Sequence, residues 1–130
     1  MKIFVIVFVV LVAVYRTQAF TAKQLQDGEN HAKDCIRESG VNPRVVQNLR
    51  NGDFKNEEEK TQCFIKCFFE KAGFMDSNGI LNEDIIIKKL SEDESETKVK
   101  GILNICKNVS ATSPCERAFQ IYKCYKKLNN

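Results

Sequence analysis

The residues of this chain best suited to chemistry are six cysteines and a single histidine, and neither set forms a catalytic pattern. The cysteines stand at Cys35, Cys63, Cys67, Cys106, Cys115 and Cys124. Their even number leaves no obligatory free thiol. Paired as disulfides they provide no thiolate nucleophile and no zinc ligand set. His31 lies four residues before Cys35, between Asn30 and Lys33, and is read as a solvent-facing residue on the polar side of its helix. A secreted phospholipase A2 would need a His-Asp pair beside adjacent cysteines, and no two cysteines here are adjacent. The loop Asp76-Ser77-Asn78-Gly79 faintly resembles a calcium loop, but aligning Gly79 with its glycine puts Phe74 and Ile85 where calcium needs carboxylates. It is read as a turn. No enzyme activity, metal or cofactor is expected. Asn108-Val109-Ser110 is an N-glycosylation sequon, read as a poorly accessible helix C-terminus beside Cys106.

The N-terminus decides which residues belong to the fold. Met1 and Lys2 precede an apolar run from Ile3 to Tyr15, then Arg16, Thr17, Gln18 and Ala19. That run is shorter than the roughly 20 residues a spanning helix needs, and Thr17 and Ala19 suit the small positions before a signal-peptide cleavage site. Residues 1–19 are therefore expected to be a signal peptide and 20–130 one secreted, extracellular domain. Loss of Lys2 and Arg16 would take the formal net charge from +3 to +1, without the basic footprint of a nucleic-acid binder. A small domain in an oxidising compartment gains from disulfide staples.

Helix signals recur along the rest. Thr21 with Gln24 opens a first helix that runs through Cys35 and stops before Gly40. Asn42 before Pro43 opens a short second helix, and Asn56 with Glu59 caps a third that contains Cys63 and Cys67. Asn82 caps a fourth, a polar stretch from Ser91 leads into a fifth, and Ser113 before Pro114 caps a sixth. The reading is all-α, about six helices. Cys115 and Cys124, nine residues apart on one helix, stand roughly 13 Å apart along its axis. A disulfide needs Cα atoms within about 7 Å, so these two must bond elsewhere. Cys63 and Cys67 share a helix face, and each should reach a different neighbour.

The intervals between successive cysteines are 27, 3, 38, 8 and 8 residues. This spacing, with the run from Cys63 through Phe64, Ile65 and Phe68 to Gly73 and with Asp76 and Gly79 beyond it, resembles the insect odorant-binding protein family. The resemblance implies helices around an apolar cavity, cross-linked by three interlocked disulfides paired Cys35–Cys67, Cys63–Cys115 and Cys106–Cys124. It also implies a small hydrophobic ligand as partner, delivery towards a chemosensory receptor at a membrane, and a monomer or weak homodimer.

Candidate lining residues are Phe64, Ile65 and Phe68 on the third helix, and Ile85, Ile86 and Leu90 on the fourth. Val99, Ile102 and Leu103 on the fifth and Phe119 and Tyr122 on the sixth complete the set. Each also suits plain core packing; the resemblance favours a cavity. The Tyr122 hydroxyl is the candidate polar contact for a ligand oxygen, with solvent or a backbone carbonyl as the competing partner. Only Tyr125 to Asn130 follow Cys124, too few for the long tail of pheromone-binding members, although Leu128 could touch the mouth. With that tail absent and His31 placed away from the lining, mild acid is expected to switch little. The leading function is a soluble carrier of odorants, pheromones or similar molecules. A non-olfactory lipid or hormone carrier in haemolymph, reproductive fluid or saliva is the second. A membrane-active helical protein of the saposin kind is third, opposed by the modest charge and the cysteine spacing.

Overall fold

The computed structural model describes residues 26–129. The expected leader and the Thr21–Gln24 capping pair lie outside them. Six helices make up the described fold: α1 (26–39), α2 (Pro43–Arg50), α3 (Glu59–Lys71), α4 (Glu83–Leu90), α5 (Glu96–Cys106) and α6 (Pro114–Leu128). Among the described residues the only β pairing is an isolated antiparallel bridge between Met75 and Leu81.

The helix starts follow local chemistry. The first backbone N–H groups of a helix have no intrahelical acceptor, and a side-chain oxygen at the N-cap supplies one. Asn42 accepts from Arg44 N at 2.8 Å with Pro43 in the first turn, and Ser113 accepts from Glu116 N at 3.1 Å with Pro114 likewise. Asn82 and Ser95 cap α4 and α5. The expected Asn56 cap is corrected: Glu58 holds the N-cap position without a side-chain bond. Asn56 instead accepts from Glu58 N at 3.1 Å and from the Thr61 hydroxyl at 2.8 Å, which satisfies a fully buried threonine.

Three disulfides tie these helices together. Cys35–Cys67 joins α1 to α3, Cys63–Cys115 joins α3 to the start of α6, and Cys106–Cys124 joins the end of α5 to α6, with Cα separations of 5.7, 4.6 and 5.6 Å. Each covalent loop overlaps the next along the chain, so the bridges interlock. Chain-entropy reasoning assigns each about 3–4 kcal/mol, not additively. Neither α2 nor α4 carries a cysteine. α4 is held by Ile86, by Lys89 donating to the Ala72 carbonyl, and by the Lys107–Glu83 ion pair.

The loop before α4 is pinned to α6. Arg117 donates to the Gly79 carbonyl at 3.0 Å and to the Lys107 carbonyl at 3.1 Å. Gly79 has φ +85°, and a Cβ there would stand 3.1 Å from Pro114 Cβ, so backbone conformation and close approach both demand glycine. The core gathers Ala32, Val46, Leu49, Phe64, Ile65 and Phe69 from α1–α3 around Ala118, Phe119 and Ile121 of α6.

Candidate functional site: an apolar cavity

The helices surround an open-mouthed cavity of about 370 Å³. Small-molecule sites run from roughly 300 to 1,000 Å³, so this one suits a compact ligand. From α3 it is lined by Phe64, Ile65, Phe68 and Phe69, followed by Phe74. α1 gives Gly28, Glu29 and Ala32, and α2 gives Val46, Leu49 and Arg50. α4 adds Ile86 and Leu90, α5 adds Leu103 and Cys106, and α6 adds Ile121, Tyr122 and Tyr125. Only Glu29 and Arg50 among these carry charge, and both are exposed while the α3 and α5 linings are mainly buried. The mouth therefore lies where α1, the end of α2 and the late turns of α6 converge.

Seven of the expected lining residues meet at the cavity: Phe64, Ile65, Phe68, Ile86, Leu90, Leu103 and Tyr122. Four do not. Ile85 packs over Gly73 at the end of α3, its methyl carbons 3.7 Å from where a glycine Cβ would stand. Phe119 is fully buried edge-on against Phe54, ring centroids 5.9 Å apart, and belongs to the packed core. Val99 and Ile102 are buried on α5 without reaching the void. Sequence reasoning missed α1 and α2 altogether. The signal was present in α2, where Val46, Leu49 and Arg50 stand three and four residues apart on one face.

The aromatic wall is continuous. Phe54 meets Tyr122 at 5.7 Å, Tyr122 meets Phe69 at 6.4 Å and Phe69 meets Phe74 at 5.9 Å, all edge-on. Such contacts favour one ring arrangement over many. Burial pushes the Tyr122 phenol up from its ordinary range, and nearby Arg50 partly offsets this. Tyr125 is raised by burial and further by Glu94. Both phenols thus enter the site as neutral donors.

His31 departs from expectation. It is half-buried and meets the ring of the lining residue Phe68 edge-on at 6.1 Å. Residues 125–128 form the last turn of α6, in which Tyr125 lines the site and Leu128 is exposed. The cluster closest to metal-ligand geometry, Cys35, Glu38 and Cys67, has both sulfurs in a disulfide and offers no thiolate. Asn108 and Ser110 are exposed just beyond α5, contrary to the expected poor access.

An apolar chamber within disulfide-stapled helices also describes a known family, whose profile, PBP/GOBP, matches residues 17–128. The chain belongs to the PBP/GOBP family. Odorant-binding protein 10 of Aedes aegypti is 28% identical over 124 residues, spanning 92% of this chain and 88% of its own. The fatty acid binding protein OBP56a from the oral disk of the blowfly Phormia regina has a similar structure. Its TM-score is 0.69 at 33% identity, over 82% of this chain and 92% of its own. Odorant binding protein 5 of Apis mellifera shares the fold with a TM-score of 0.72 at 23% identity, over 85% and 91% of the two chains. PBP/GOBP proteins are carriers of small ligands and not enzymes, and the family and fold together support that role for this chain. No helix among the described residues is long and apolar enough to cross a membrane.

Proposed function

We propose that this protein is a secreted carrier that takes one small hydrophobic molecule into the cavity between α1 and α6 and moves it through aqueous fluid. The observation that carries this reading is the open-mouthed, almost wholly apolar chamber of about 370 Å³. A well-packed domain of this size leaves few voids larger than a water molecule. At about 30 Å³ per water-sized group, the chamber holds about 12 non-hydrogen atoms. At an assumed ~0.5 kcal/mol per atom, such a ligand gains about 6 kcal/mol, a dissociation constant in the tens of micromolar. The three disulfides and the leader-like residues 1–19 support the secreted reading.

The test is displacement of an apolar fluorescent probe by a homologous series of alcohols. Affinity should rise with chain length and then stop rising as the chamber fills. Failure of any apolar probe to bind the disulfide-intact protein would refute the reading. The blowfly relative, described as a fatty acid binding protein of the oral disk, favours as second reading a non-olfactory carrier of lipid chains. Expression confined to antennae would speak against that version.

A further inference from the structure

Glu29 and Arg50, the two charged residues of the lining, face each other at the mouth, Arg50 Nη1 standing 3.0 Å from Glu29 Oε1. Tyr122, on whose phenol Arg50 acts electrostatically, belongs to the same lining, and its hydroxyl has no hydrogen-bond partner among the described residues. We propose that this mouth is a head-group site, in which Arg50 and Tyr122 bind the anionic head of a single-chain carboxylate while its tail fills the apolar chamber. Glu29 is the internal carboxylate that occupies Arg50 until the ligand arrives. The proposal rests on the carrier reading above and adds the ligand's chemical class.

Three observations favour an anionic head over a cationic one. A guanidinium offers five donors in a planar fork that fits a carboxylate with two parallel bonds, and a single Glu29 oxygen leaves most of that fork unused. A second cation stands at the same helix end, because Lys126 Nζ donates to the Arg50 carbonyl at 3.0 Å. Glu94, an acid that acts on Tyr125, is paired with Lys98 at 3.2 Å. At this helix end Glu29 thus faces two cations, Arg50 and Lys126. Displacing Glu29 is also easy. Its side chain is 55% exposed, against 42% for Arg50, and exposed pairs of this kind contribute little. Glu29 can turn to water while Arg50 keeps an ion-pair partner. Inside the chamber an alcohol of equal length makes the same apolar contacts and lacks only the charge.

Dodecanoic acid and dodecan-1-ol form the matched pair, each displacing N-phenyl-1-naphthylamine from the disulfide-intact protein at pH 7.5 and low salt. The wild type should bind the acid about fivefold more tightly than the alcohol, since partial exposure screens the ion pair. Arg50→Met should bring that ratio close to one, and Glu29→Gln should raise it to about tenfold or more by removing the competing carboxylate. Circular dichroism checks that both variants keep the helical fold, and Arg50→Lys should keep a reduced preference for the acid. A ratio unchanged in Arg50→Met, or a wild type that prefers the alcohol, overturns the head-group site and leaves the carrier reading intact. If neither compound displaces the probe, the carrier reading falls and the head-group site falls with it.

Discussion

Substituting leucine for alanine at two buried positions should have opposite consequences, because one alanine faces the chamber and the other faces packed atoms. Ala32 on α1 is 2% exposed and lines the cavity; Ala118 on α6 is 0% exposed and lies in the core away from it. Ala32→Leu adds three carbons to open space. At about 0.8 kcal/mol per buried methylene the gain reaches about 2 kcal/mol, from which about 0.5–1 kcal/mol of side-chain entropy is lost. The net is a stabilisation of about 1 kcal/mol. Ala118→Leu forces the same atoms into a filled core, where overpacking costs about 1–3 kcal/mol. Urea unfolding of the two variants should therefore separate them by about 2–4 kcal/mol. Ala32→Leu should also shrink the chamber by about 90 Å³, the space of three water-sized groups. The chain length at which affinity stops rising should drop by about three carbons, and a ligand that fills the wild-type chamber should bind about tenfold more weakly. Equal destabilisation in both variants, with the chain-length limit unmoved, would mean that Ala32 is ordinary core and that the chamber is not where ligands go.

Three further outcomes follow from particular contacts. Arg117→Ala removes the donors to the Gly79 and Lys107 carbonyls and should cost about 1–3 kcal/mol in urea unfolding, with amide exchange rising around residues 76–80. Expressed through a eukaryotic secretory pathway, the protein should carry a glycan at the exposed Asn108, seen as a mass shift that glycosidase treatment and Asn108→Gln each abolish. The chain after residue 19 holds only Tyr122 and Tyr125 as tyrosines, and ultraviolet titration should show both ionising above pH 10, with Tyr122→Phe leaving one step. Because a buried phenol holds its proton more tightly than an unfolded one, the stability Tyr122 contributes is intact below about pH 10 and declines as pH rises beyond it.

Much of the scaffold is legible in the chain because capping and cysteine spacing are local. Asn42, Asn82 and Ser113 mark helix starts by the oxygen each offers to a backbone N–H, and the structure puts those oxygens to that use. The Phe64, Ile65 and Phe68 stripe likewise turns inward as its spacing on α3 requires. The rest of the lining depends on how helices dock. Val99, Ile102 and Phe119 have the same apolar character as Leu103 and Tyr122, yet they meet packed atoms where the others meet a void. Periodicity reports the inward face of a helix and not what stands opposite it. Glu29 and Arg50 carry no apolar signal in the sequence, and only the approach of α1 to the end of α2 makes them the rim of a chamber. His31 illustrates the same limit, since it stands among Asn30, Lys33 and Asp34 in sequence while its ring meets Phe68 in space.

The carrier account stands or falls on where a ligand sits. A titration of isotope-labelled, disulfide-intact protein with dodecan-1-ol, followed by methyl and aromatic nuclear magnetic resonance, tests this directly. The account predicts saturable binding of one molecule per chain, with the largest shifts at Ile65, Phe68, Ile86 and Leu103. The exposed Ile80 and Ile105, outside the chamber, should stay unmoved. Shifts that grow without saturation, or that centre on Ile80 and Ile105, would contradict it.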